Sequence, residues 1–306
     1  VKDFTQGYDY ARLIEEEKQH YKDIEITDDL KEAGGHANDA WHRYWIDVHA
    51  EIERWSPGGI AAFLKTRFQN LGRPIRILSL GSGYCGHELD MARAIGLPSV
   101  VVCTDINDAL FGQARAAAEA EGLNFEFRMA DLNFIEIEPG TYDVIFAHAS
   151  LHHVINLERL FAGVEAGLTP QGVFHLVEVV GKNRKLIWDV NERFANATLA
   201  CLPDSITGGL RVDVPVDADG MEGVRQEDIL PLLRERFFAL YELRHGAFIR
   251  FVCTHPDLGR CFDPAVPDRR RALEFMFACD WAAVRNGILE ALEIWGVYIP
   301  KAARAG

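Results

Sequence analysis

Residues 75–86 read IRILSLGSGYCG, and Asp105 stands at the end of the next apolar run. Ile75, Ile77, Leu78 and Leu80 make a short buried strand, which Gly81-Ser82-Gly83 breaks. The polar stretch His87–Ile95 that follows is competent to form a helix. A strand, a glycine turn and a helix start bring backbone N–H groups close to a ligand, because glycine has no Cβ in the way. The next strand, Ser99–Thr104, delivers Asp105, whose carboxylate can accept from both hydroxyls of a ribose. The stretch therefore predicts a nucleoside-cofactor site. Gly81, Gly83 and Gly86 also satisfy G-x-G-x-x-G with an acid about 20 residues on, so a dinucleotide stays open.

Working outward, the pattern from Ile75 alternates strand and helix. Strands are expected at Ile75–Leu80, Ser99–Thr104, Asn124–Met129, Tyr142–Ala147 and Val173–Val180, with helices at His87–Ile95, about Asn107–Glu121 and Leu157–Leu168. Such alternation predicts an α/β fold with a mostly parallel sheet, helices on both faces, and ligands at the carboxyl ends of the strands. Before it, Glu15–Lys18 starts a helix that Gly34-Gly35 ends. His36–Glu53 is then amphipathic, with Trp41, Tyr44, Trp45, Val48 and Ile52 on one face. That aromatic face reads chiefly as core, though it also allows a homodimer. Ile60–Leu71 adds a short helix. After Gly181, helices are expected at Arg184–Cys201, Gln226–Glu235 and Arg269–Glu293, and strands at Phe237–Arg244 and Trp295–Ala303. The chain divides into an N-terminal helical cap (1–74), a cofactor-binding core (75–181) and an acceptor-side lid that completes the sheet (182–306).

The composition narrows the classes. The 306 residues are 48% hydrophobic and 25% charged, an ordinary soluble balance. A net charge of -14 repels phosphate backbones, and the basic cluster Arg269-Arg270-Arg271 reads as the polar start of a helix, so no nucleic-acid partner is expected. No apolar run approaches the roughly 20 residues of a membrane span and nothing resembles a signal peptide, which makes the cytoplasm the expected location. Six cysteines lie scattered without C-x-x-C. Cys253, His255 and Cys261 have no compact zinc spacing, so buried thiols and no metal are expected.

Three further features favour S-adenosylmethionine over NAD(P): Ala130-Asp131-Leu132 past the third strand, Tyr142–Val154 (YDVIFAHASLHHV), and Leu168–Gly172 (LTPQG). With these, residues 75–181 resemble the class I S-adenosylmethionine-dependent methyltransferases, motif by motif and in order. The resemblance implies a Rossmann-like fold with a seven-stranded sheet. It also implies that Gly81, Ser82 and Gly83 approach the amino-acid part of the cofactor, that Asp105 with Ile106 holds the ribose, that Asp131 and Leu132 bound the adenine, and that His148 lies under the sulfonium. One departure is Ser79, where many members carry Asp or Glu. Glu178-Val179-Val180-Gly181, Arg184, Trp188, Leu202-Pro203 and Glu222–Ile229 further resemble a bacterial subfamily often found in polysaccharide or glycan biosynthesis clusters.

Methyl transfer is an in-line displacement in which alignment does much of the work. A hydroxyl acceptor also needs its proton removed, worth roughly 10²–10⁴-fold. Candidates for that base at the sheet's carboxyl edge are His148, His152, His153 and Glu178. Each has a plainer reading in packing or hydrogen bonding. Glu178 interrupts an apolar strand, so it needs a partner, for which Arg184 is the candidate. Trp188 is a candidate for the acceptor-pocket wall, and Asp204–Gly220 for a mobile or disordered lid. Besides O-methylation of a small-molecule or glycan-type acceptor, an NAD(P)-dependent oxidoreductase and a non-catalytic cofactor-binding scaffold remain alternatives.

Overall fold

The computed structural model describes residues 2–22, 39–213 and 220–301. Its strands are β1 Ile75–Leu80, β2 Ser99–Asp105, β3 Asn124–Met129, β4 Tyr142–His148, β5 Leu168–Val179, β6 Phe237–His245 and β7 Glu293–Pro300. They pair in the order β3-β2-β1-β4-β5-β7-β6. Neighbours from β3 to β5 are parallel, and β7 runs antiparallel to both β5 and β6. This is the expected α/β fold, a mostly parallel seven-stranded Rossmann-like sheet with helices on both faces.

Alternate residues of a strand point to opposite faces, and that splits the core in two. Ile75, Ile77, Val101, Cys103, Val144 and Phe146 face one layer of helices. Leu78, Leu80, Val102, Ile145, Ala147, Phe174 and Leu176 face the other. A sheet covered on both sides is apolar on both sides, which is why its strands read as continuous apolar runs. The first layer holds α2 Asp39–Trp55, α3 Gly59–Phe68, α4 Gly86–Ile95, α5 Gly112–Glu121, α7 Asp189–Leu199 and α9 Pro267–Arg285. The second holds α6 Leu157–Gly167 and α8 Gln226–Arg236. The first helix, α1 Tyr10–Lys22, belongs to neither layer and packs its Leu13 against Ile155, Met221 and Val224. No helix among the described residues is long and apolar enough to cross a membrane.

The predicted face of α2 is buried within the chain. Trp41, Tyr44, Val48 and Ile52 are inaccessible, and Tyr44 packs on Phe277 and Trp281 of α9. Val48 and Ile52 alone contribute about 1.5–3 kcal/mol each, which docks a helix that would be marginal in isolation.

Other boundaries differ for local reasons. The helix expected from Arg184 starts at Asp189, because Arg184 takes a left-handed backbone at φ 65 and Leu186 and Trp188 are extended. The helix expected to reach Glu293 stops at Arg285, where Gly287 turns left-handed at φ 64. Leu168–Gly172 is the opening of β5 rather than a connection, with Leu168 paired to Tyr142 ahead of a bulge. Gly34-Gly35 and part of the expected lid, residues 214–219, lie outside the described residues.

Candidate active site

The carboxyl ends of β1 and β4 lie side by side where the strand order reverses, and a crevice opens there. Gly81 leaves β1 left-handed at φ 66, and a Cβ on it would stand 2.6 Å from Cβ of Ser150. Only glycine fits that position. Ser150 in turn donates its hydroxyl to the Leu80 carbonyl at 2.7 Å, which ties the loop after β4 to the end of β1. Ser82 N donates to the Thr104 carbonyl at 2.9 Å, so the turn leans on β2. Gly83 N then donates to Asp105 Oδ2 and Asn107 N to Oδ1, each at 2.9 Å. These amides fix the carboxylate without exhausting its roughly four acceptor directions. Burial raises the Asp105 pKa, and the amide donors, Ile106 N among them, only partly offset it. Turn and acid, separated by 22 positions from Gly83 to Asp105, thus form one cradle.

An acid does stand beside position 79, one that spacing did not reveal. Ser79 Oγ donates to Glu88 Oε1 at 2.5 Å, and both groups are buried. Glu88 comes from the first turn of α4, and its carboxylate lies about where a longer acid at position 79 would reach. Burial raises its pKa to about 7, against the pull of the Ser79 hydrogen bond.

Past β3, Asp131 accepts from Asn133 N at 2.9 Å through Oδ1 and from the Tyr10 hydroxyl at 2.6 Å through Oδ2. Asn133 also donates to Tyr10 Oη at 2.9 Å, and the Tyr10 ring meets Phe134 edge-on. The N-terminal helix α1 therefore closes onto this edge of the site, a contact with no sequence signal. Leu132 packs against the second core layer and approaches Gly81. A cavity of about 290 Å³ opens nearby between Leu78, Thr104, Arg128, Asp131, Phe134 and Tyr142. It includes none of Gly81, Gly83 and Asp105, so it adjoins the cradle rather than forming it.

The acceptor-side candidates divide. His148 ends β4, half-buried, with its ring edge-on to His87 at 3.9 Å between centroids. Burial first, then His87, His175 and His152, hold its pKa well below 6.5, so the ring is neutral at pH 7. Ala149 next to it is left-handed at φ 50, a strained position for a residue with a Cβ. Glu178 does not pair with Arg184, which corrects the pairing the sequence led us to expect. Its Oε2 accepts from Ser150 N at 3.0 Å and Leu151 N at 2.6 Å, while Oε1 meets His152 Nδ1 at 2.6 Å and Val179 N at 2.7 Å. Burial pushes its carboxyl up, but His152 and the amides outweigh burial and hold it below the usual range. Arg184 instead donates to the Gly220 carbonyl at 2.6 Å, because its left-handed backbone turns it toward the 220–225 turn. Trp188 stands half-buried before α7, packed on the first core layer, with Lys182 Nζ 6.0 Å from its ring.

The two adjacent imidazoles both join one cluster. His152 Nε2 is 3.6 Å from Glu222 Oε2, and His153 Nε2 is 3.6 Å from Glu222 Oε1. His153 Nδ1 lies 2.9 Å from Glu17 Oε1 of α1. Neither Glu17 nor Glu222 was a candidate for this site on sequence, because they lie 136 and 69 positions from His153.

Residues 77–172 match the model of the methyltransferase domain family. The glycine cradle beside Asp105 lies within that stretch. An uncharacterized protein of Synechococcus sp., syc1184_c, is 26% identical over 144 residues, 46% of this chain and 34% of the relative. The chain thus matches about a third of the length of that curated relative. Among solved structures, the PH0226 protein of Pyrococcus horikoshii OT3 superposes over 93% of this chain and 99% of its own, with 15% identity and a TM-score of 0.46. An S-adenosylmethionine-dependent methyltransferase from Mesorhizobium loti covers 77% and 95%, with 17% identity and a TM-score of 0.44.

Proposed function

We propose that the chain methylates a hydroxyl of a small-molecule or glycan-type acceptor. The reading rests chiefly on one observation, the hydrogen bond from Gly83 N to Asp105 that joins a glycine turn and an acid at the switch point of the sheet. Gly81, Ser82 and Gly83 would hold the methionine part of S-adenosylmethionine, Asp105 and Ile106 its ribose, and Asp131 and Leu132 its adenine. Glu88, resting on Ser79, would take the ammonium that an acid at position 79 holds in related sequences. When bound, the cofactor supplies a methyl group on a sulfonium, whose departing thioether leaves readily.

His148 is the base in this reading. It closes β4, its neutral ring can accept a proton at pH 7, and it takes the acceptor's hydroxyl proton as that oxygen bonds to the methyl carbon. The carbon–sulfur bond breaks in the same step, and the products are a methyl ether, a neutral thioether and an imidazolium. Glu178 acts differently. Four hydrogen bonds make it the strut that holds the Ser150–His152 turn against β5. The glycan class of acceptor rests on the subfamily pattern around Glu178, Arg184 and Trp188.

Calorimetry with S-adenosylmethionine, S-adenosylhomocysteine and NADH tests the cofactor part, with Asp105→Ala as the comparison. Binding of the first two, weakened at least tenfold by the substitution, is expected. Binding of NADH alone would overturn the reading. Transfer of labelled methyl to a panel of sugars and phenols, with amines as the contrast, then tests the acceptor atom.

A further inference from the structure

We infer that His152, His153 and Glu222 form a site for a divalent first-row transition cation such as Zn²⁺. One ligand atom from each of the three lies within 4.8 Å of the other two, the only such group among the described residues. The two Nε2–Oε separations of 3.6 Å are too long for hydrogen bonds. They are close to the roughly 3.4 Å between two ligands that share a tetrahedral ion at about 2.1 Å.

Orientation carries the inference further. Each ring turns its Nε2 toward the same carboxylate; Glu178 holds His152 from behind at Nδ1, 2.6 Å away, and Glu17 Oε1 lies 2.9 Å from His153 Nδ1. A carboxylate hydrogen-bonded behind an imidazole is how metal-binding histidines are aimed and made more basic, as Glu178 does behind His152. The side chains of the five residues are between 0% and 25% exposed. The cluster gathers the carboxyl groups of Glu17, Glu178 and Glu222 in that confined space, a charge that a dication offsets.

The donor set selects the ion. Two nitrogens and a carboxylate suit Zn²⁺, Fe²⁺ or Mn²⁺ better than Mg²⁺ or Ca²⁺, which prefer oxygen throughout. Three protein ligands also leave a position open for water or an acceptor oxygen, as in catalytic zinc sites. The ion would join the turn after β4 to the 220–225 turn, with α1 behind it. None of this depends on the methyl-transfer reading.

The test is calorimetry of the full, tag-free chain with ZnCl₂ after treatment with a chelator, together with the visible absorption of the Co²⁺-loaded protein. One equivalent of Zn²⁺ per chain is expected. Glu222→Gln and His153→Ala should each weaken it at least tenfold and abolish the Co²⁺ spectrum, and Glu17→Gln should weaken it less. Cys261→Ala, at a half-exposed thiol outside the cluster, should leave it intact. Thermal melting of each variant establishes that the fold persists. Absence of stoichiometric Zn²⁺ binding, or binding unchanged in both Glu222→Gln and His153→Ala, would overturn the site.

Discussion

Gly81 and Glu88 show how much single side chains decide. Alanine at Gly81 would need a left-handed backbone and would place its Cβ 2.6 Å from Ser150. The strain is worth about 1–3 kcal/mol, and overpacking adds about as much again. Gly81→Ala should therefore lower the urea midpoint by an amount equivalent to a few kcal/mol and abolish cofactor binding; a folded variant with intact affinity would refute the close approach. Glu88 makes a prediction through its proton. A carboxyl with a pKa raised to about 7 is mostly protonated at pH 6. If it ionises to meet the cofactor's ammonium, binding at pH 6 releases close to one proton, and the calorimetric enthalpy then changes with the ionisation enthalpy of the buffer. In Glu88→Gln that dependence should disappear and the affinity should fall about tenfold or more. The same enthalpy in every buffer for the wild-type protein would mean that Glu88 stays apart from the ligand.

At the scale of elements, the shortest polar contact that holds α1 to the site runs from the Tyr10 hydroxyl to Asp131 at 2.6 Å, with Glu17 beside His153 at 2.9 Å. A hydrogen bond to a charged group is worth roughly 1.5–3 kcal/mol. Tyr10→Phe should thus raise amide exchange through α1 by about tenfold or more, leaving β1 and β4 as protected as before. Uniform exchange across both would show that α1 is not anchored there. The core elements were legible because each has a local cause. The apolar runs, the glycine turn and Asp105 dictate β1, β2 and the cradle between them, and the face of α2 is written in its three- and four-residue spacing. What lay hidden was pairing at a distance. Glu178 finds His152 across 26 positions while Arg184, six residues away, turns aside, because a left-handed backbone at Arg184 outweighs proximity in sequence. Likewise Glu88 completes Ser79, and Glu17 and Glu222 converge on His153, through contacts that only the folded chain makes.

For the whole molecule these buried groups set the response to acid. His175 and His245 have pKa values lowered to about 4 by burial, and His148 is lowered too. Between that value and the ordinary 6.5 the unfolded chain binds protons that the folded chain refuses. The stability they contribute is therefore full above pH 6.5 and is lost as pH falls toward 4. Glu88 works in the opposite sense. Raised from 4.5 to about 7, it keeps a proton when folded that it loses when unfolded, so its contribution shrinks as pH climbs through that window and is level beyond it. Asp280, raised to about 6 while it accepts from Phe248 N and Ile249 N, behaves the same way. The two trends overlap between pH 4.5 and 6.5 and partly cancel, which predicts a shallow acid limb for the wild-type protein. Glu88→Gln removes one side of the balance. Relative to wild type, the variant should gain about 3 kcal/mol between pH 4.5 and 7, with no further change from pH 7 to 8, and its own acid limb should steepen. Urea unfolding of both proteins at pH 5, 6, 7 and 8 measures this. A difference that stays constant across the series would mean that Glu88 titrates alike in the folded and unfolded chains, and that its burial against Ser79 leaves its proton affinity unchanged.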